Sequence, residues 1–141
     1  MGKALSMERD VYSARVKLDG EEHERTLRAA NNYASTLNNL EHLEEAKALM
    51  RKTIPVARRV LGEGNRLALK MRRVYAKALY TDPEATLDDL REAVTTLEEA
   101  ERIARRALGV AHPTTTSLEN NLRKARAARD ACETLERKPW A

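Results

Sequence analysis

Phenylalanine is absent from this 141-residue chain, and aromatic residues make up only 4% of it. A core has to be built mainly from Ala, Leu and Val, which suits closely packed helices; a β-sandwich draws on more β-branched and aromatic side chains. Glycine and proline are scarce, at five and four residues, so turns are few and elements are long. Cys132 is the single cysteine. It rules out an intramolecular disulfide and points to a reducing, cytoplasmic type of compartment. No run approaches the roughly 20 apolar residues of a membrane span, and the opening MGKALSMERD has no apolar signal core.

Catalytic patterns are missing as well. His23, His42 and His112 are scattered, and with one cysteine they give no metal-ligand spacing. There is no glycine-rich phosphate loop and no GxSxG. The acidic pairs Glu44-Glu45 and Glu98-Glu99 point in different directions on a helix and form no acid/base couple. The sequence reads as non-enzymatic, with no cofactor and no metal.

What is present is charge, at 34% of residues with a net value of +4, and it is unevenly spread. Between Arg51 and Lys77 nine basic residues face one acid, Glu63; between Asp82 and Glu101 eight acids face one base, Arg91. Such a lopsided distribution favours an acidic partner on one flank. Solvated helix faces would give the same runs.

Apolar residues recur every three or four positions, the helical period. The pattern predicts six helices, over about Ala4–Leu18, Glu24–Asn39, Glu44–Val60, Arg66–Tyr80, Leu87–Ala107 and Thr114–Leu135. Gly20, Gly62 and Gly109 each follow a helix, where positive φ is wanted and only glycine adopts it at little cost. Pro113 opens a helix. Thr86 with Asp89 has the form of a capping box. Pro55 falls inside the third helix, removes a backbone hydrogen bond and predicts a bend there.

The chain also repeats itself. HERTLRAANNYASTL from His23, NRLALKMRRVYAKAL from Asn65 and HPTTTSLENNLRKAR from His112 start 42 and 47 residues apart. That period marks stacked repeats, each of which buries its apolar face only against its neighbours. The five extra residues of the second copy lie around 81–85, in the turn between the fourth and fifth helices.

These copies resemble the tetratricopeptide repeat in its long, kinesin-light-chain-like form, with a motif of the type HPxTLxxxNNLAxxL…EAxxL…LG. The first copy carries His23, Thr26, Leu27, Asn31, Asn32, Ala34, Leu37, Glu45, Ala46, Leu61 and Gly62; the second keeps Ala68, Leu69, Ala76, Leu79, Glu92, Ala93, Leu108 and Gly109; the third keeps His112, Pro113, Asn120 and Asn121. The second copy replaces the Asn pair with Arg73 and Val74. The family usually has glycine in the turn between paired helices; Glu41 stands there, and its Cβ makes positive φ costly by about 1 kcal/mol, so a differently built turn is expected.

The resemblance implies an all-α, right-handed α-solenoid of antiparallel helix pairs, about three units in a single repeat domain over residues 1–135. The units are 4–22 (partial), 23–64, 65–111 and 112–135 (partial), with a tail at 136–141. It also implies a protein-binding scaffold or adaptor whose inner surface is lined by the first helix of each pair. The stripe offset from the helix-packing positions then gives the candidate binding residues Arg28, Asn31, Ser35 and Asn38, next Lys70, Arg73, Lys77 and Tyr80, and finally Asn120 and Lys124. That stripe holds no acid. Asn amides hold extended peptide backbone, and Lys and Arg hold carboxylates through charge-assisted bonds, so an acidic peptide or a terminal carboxylate is the expected ligand.

Other readings stand beside this one. The Asn residues could serve only to bond neighbouring helices. The chain could be a helical subunit of a larger complex with no ligand of its own. The basic run could contact nucleic acid, against which stand the few aromatics for stacking and the acidic stretch that follows. The first helix, with Val11, Val16 and Leu18, looks poorly covered and invites self-association or docking. Trp140 beside Pro139 reads as part of an unstructured end, with a small partner anchor as the alternative.

Overall fold

The computed structural model describes residues 2–137. The tail Lys138-Pro139-Trp140-Ala141, with both readings of Trp140, lies outside them. Six helices follow one another: α1 (Gly2–Asp19), α2 (Glu24–Asn39), α3 (Leu43–Leu61), α4 (Arg66–Thr81), α5 (Leu87–Leu108) and α6 (Pro113–Glu136).

Each consecutive pair packs together, and α4 also touches α2 and α6. The helices thus form two layers. α2, α4 and α6 lie side by side in one layer, and α1, α3 and α5 lie in the other. Within that second layer no Cα atoms of α3 approach those of α1 or α5 within 8 Å. A layer of touching helices backed by a layer of separated ones is a curved stack, with α2, α4 and α6 on the inner side. This is an all-α solenoid.

Small side chains allow the close packing. Ala30, Ala34, Ala68, Ala76, Ala93, Ala100, Ala104 and Ala125 are wholly buried, interleaved with Leu27, Leu69, Met71, Leu79, Leu97 and Leu118. Full burial of each Leu is worth about 1.5–3 kcal/mol. α4 is the most enclosed helix, with ten of its sixteen residues buried, because it alone touches four neighbours.

The ends of the helices are set by side-chain chemistry. His23 and His112 cap α2 and α6 by accepting from the backbone N–H of Arg25 and Thr114 through Nδ1, at 3.1 and 3.0 Å. Asn65 caps α4 through the N–H groups of Leu67 and Ala68. Thr86 and Asp89 form the full capping box of α5. Gly20, Gly62 and Gly109 have φ of 86°, 90° and 98°. Pro55 lies within α3, which is continuous from Leu43 to Leu61, and is on its exposed side.

Glu41 departs from expectation. The turn keeps the family-like geometry, with Glu41 itself at φ 62°, the only positive-φ residue other than glycine among those described. His42 N–H donates to Leu37 O at 2.8 Å and Glu41 N–H to Asn38 O at 3.0 Å. These are the two bonds of a Schellman motif, which normally has glycine at this position. The paired bonds hold a side-chain-bearing residue in a conformation it disfavours.

Candidate functional site: the inner face of α4

Because four helices surround α4, only one stripe of it reaches solvent. The residues not buried are Arg66, Lys70, Arg73, Lys77, Tyr80 and Thr81. Spacings of four, three and four place the four cations in one row along the axis. Among the described residues none of the four has a carboxylate within 4.0 Å, whereas Arg72, on another side of the same helix, is buried and bound to Glu99 at 3.0 Å. Many other cations are paired, among them Arg58, Arg59, Arg105 and Arg126.

The row runs between two clefts. One, of about 370 Å³, lies between the start of α4 and the start of α6; Arg66, Lys70 and Arg73 line one wall, and His112, Thr114 and Ser117 the other. No acid lines it. The second, of about 570 Å³, lies where the α2–α3 turn meets the α4–α5 connection, and Asn38 and Lys77 enter it. Its rim carries Glu41, Glu44, Glu45, Asp82 and Glu84. The α4 stripe itself carries no acid, but the expectation of a groove free of acid fails at this end, because the turns bring carboxylates that the stripe does not contain.

The acidic rim is itself anchored. Lys47, 4% exposed, reaches Glu44 at 2.7 Å and Asp82 at 3.2 Å. Burial alone would lower its pKa, but these two carboxylates outweigh it and the ammonium is held above its ordinary value. Asp82 is held below the usual aspartate value, first by the backbone N–H of Glu84 at 2.9 Å and then by Lys47. The longer connection between α4 and α5 is thereby tied back onto α3.

The remaining predicted residues are dispersed. Asn38 Nδ2 donates to Val74 O at 3.0 Å and so joins α2 to α4. Tyr80, 42 residues on in the repeat, makes the equivalent junction: its hydroxyl accepts from Asn121 Nδ2 at 2.6 Å, joining α4 to α6. Burial raises the Tyr80 pKa, against the opposing pull of that bond and of Arg73. Both residues thus spend polar groups on helix packing. Asn31 Oδ1 and Asn38 Oδ1 are buried without a partner among the described residues. Arg28 is exposed and paired with Glu24 at 3.1 Å, Ser35 is half-buried, and exposed Asn120 accepts from Arg123 at 3.2 Å. Lys124 is exposed on α6 and lines neither cleft. The structure gathers Lys70 and Arg73 in one cleft and Asn38 and Lys77 in the other. Arg66, His112 and Thr114 were missed. Arg66 stands four residues before Lys70, which is the signal that could have found it; Thr114 has no sequence signal, since its role depends on which helix faces it.

Residues 26–66 match the family model of the tetratricopeptide repeat. The matched segment runs from the third residue of α2 through the Glu41 turn and α3. Tetratricopeptide repeats generally mediate protein–protein interaction. No curated protein matches the chain.

Proposed function

We propose that this chain is a non-enzymatic protein-interaction scaffold that grips an acidic peptide segment, or a chain-terminal carboxylate, along the inner face of α4. One observation carries the reading. Arg66, Lys70, Arg73 and Lys77 occupy the only solvent-facing stripe of the most enclosed helix, and among the described residues no carboxylate lies within 4.0 Å of any of them. Like charges set three and four apart on a helix destabilise it by a few tenths of a kcal/mol per pair. An anionic ligand would relieve that repulsion and supply charge-assisted bonds. Arg28, Asn31, Ser35, Asn120 and Lys124 serve as flanking contacts on α2 and α6, and the 42-residue spacing supports the long, kinesin-light-chain-like form of the repeat.

The test is to replace Lys70, Arg73 and Lys77 together with Glu and measure binding to a library of Asp/Glu-rich and free-carboxylate peptides by fluorescence polarisation, with circular dichroism to verify the helices. Binding is lost in the triple variant; unchanged affinity sinks the proposal. Salt separates the nucleic-acid alternative, whose affinity would fall with a steep log–log slope.

A second contact surface is proposed at α1. None of its side chains is buried, and Met7, Val11 and Leu18 are 58%, 51% and 75% exposed. This favours self-association or docking into a larger assembly through the N-terminal helix, which sedimentation at increasing concentration would register.

A further inference from the structure

The geometry points to a phosphate site in the cleft between α4 and α6, so that the acidic partner carries a phosphorylated serine or threonine there; this rests on the peptide-binding reading above and specifies its ligand. Arg66, Lys70 and Arg73 place three positive charges on one wall, with no acid in the lining. A carboxylate supplies one negative charge. A phosphomonoester supplies about 1.5–2 at neutral pH, with three strong acceptor oxygens. The cleft is charged for the second.

Thr114 gives an independent sign. Seven polar or charged residues are buried among those described: Thr26, Lys47, Thr53, Arg72, Thr114, Thr115 and Asn121. Six of them bind something through the side chain. Thr26 and Thr115 donate to the carbonyls of Gly20 and Gly109, Thr53 donates to Leu49 O, Lys47 and Arg72 hold carboxylates, and Asn121 donates to Tyr80. Thr114, only 6% exposed, lines the cleft with a hydroxyl that bonds to no described residue. The hydroxyl oxygen itself keeps contact with the solvent of the cleft, so it is free to donate to a ligand there.

The opposite wall has the same polarity. α6 is 24 residues long and has no acid in its first turn, whereas α2, α3 and α5 each have at least one. The positive end of its dipole is left for an anion. His112 accepts the Thr114 N–H at Nδ1, which leaves its proton on Nε2 as a further donor. Arg66, Lys70, Arg73, His112, Thr114 and Ser117 can all donate, and a phosphate is all acceptor.

The experiment uses the whole chain and three degenerate peptide libraries, each flanked by acidic residues, with the central position fixed as phosphoserine, serine or glutamate. The phosphoserine library binds at least ten-fold more tightly than the glutamate library, and millimolar inorganic phosphate competes. Thr114→Val, which keeps shape and removes only the unpartnered hydroxyl, narrows that ratio several-fold while leaving the helical signal intact; Arg73→Gln narrows it further. Equal binding of the phosphoserine and glutamate libraries, both lost in the Lys70/Arg73/Lys77 variant, overturns the phosphate site and leaves the acidic-peptide reading standing. No binding of any library removes both. Phosphate-dependent binding to anionic vesicles or RNA, without preference for the phosphopeptide, overturns the inference by assigning the phosphate to another source.

Discussion

Replacing Glu41 with Gly should stabilise the protein. Glu41 sits at φ 62° in a Schellman turn, where a side chain costs about 1–2 kcal/mol through the clash of Cβ with the following carbonyl. Glycine removes that clash but loses more backbone entropy on folding, about 0.5–1 kcal/mol relative to alanine. The net gain is on the order of 0.5–1 kcal/mol, which for a domain of this size raises Tm by about 2 °C. Urea unfolding read by circular dichroism measures it as a higher midpoint at unchanged slope. Glu41 also borders the acidic cleft with Glu44, Glu45, Asp82 and Glu84, so lost repulsion could mimic the effect. Glu41→Ala separates the two causes, because it removes the charge and keeps the Cβ. Glu41→Asn belongs between Gly and Ala, since Asn tolerates this conformation. If Ala stabilises as much as Gly, the gain is electrostatic and the backbone argument is refuted.

Two further outcomes follow from the packing and the acidic rim. Leu97→Ala, at a wholly buried core position on α5, costs about 2–5 kcal/mol; a loss below 1 kcal/mol in chemical denaturation would show that the stack collapses to fill the space. Asp82 has a folded pKa below its ordinary value, so its stabilising contribution is complete above the unfolded pKa of about 3.9 and is lost as pH falls through the depressed folded value. Asp82→Asn should therefore be less stable than the parent by a constant amount between pH 5 and 7, with the two curves converging below about pH 4; a gap that persists in acid would show that the bond to the Glu84 N–H survives protonation.

The helices were legible because their ends are written locally. The Gly20, Gly62 and Gly109 stops, the Thr86–Asp89 box and the Pro113 start all depend on residues within one turn. Arg73 and Lys70 could be placed on a common face from spacing alone. The pairing of layers hid the rest. That Tyr80 would be used by Asn121, or that Glu44 and Asp82 would meet over Lys47, depends on contacts spanning 35 to 41 residues, which periodicity does not encode. Glu41 misled for a different reason: its Cβ argues against positive φ, and the turn with its two backbone hydrogen bonds takes that conformation all the same.

The separation of α1, α3 and α5 has a mechanical consequence. On that outer surface Arg58 of α3 reaches Glu99 of α5 at 3.5 Å, and Lys52 and Arg59 of α3 reach Glu21 (3.4 Å) and Glu22 of the turn that follows α1. Tethers of this kind lengthen by rotamer changes and weaken as ionic strength rises, whereas the α2–α4–α6 wall cannot stretch without breaking dense packing. The molecule is therefore expected to flex like a leaf spring, stiff along one side and compliant along the other. Flexing alters the radius of the trough and leaves the spacing of the α4 cations fixed.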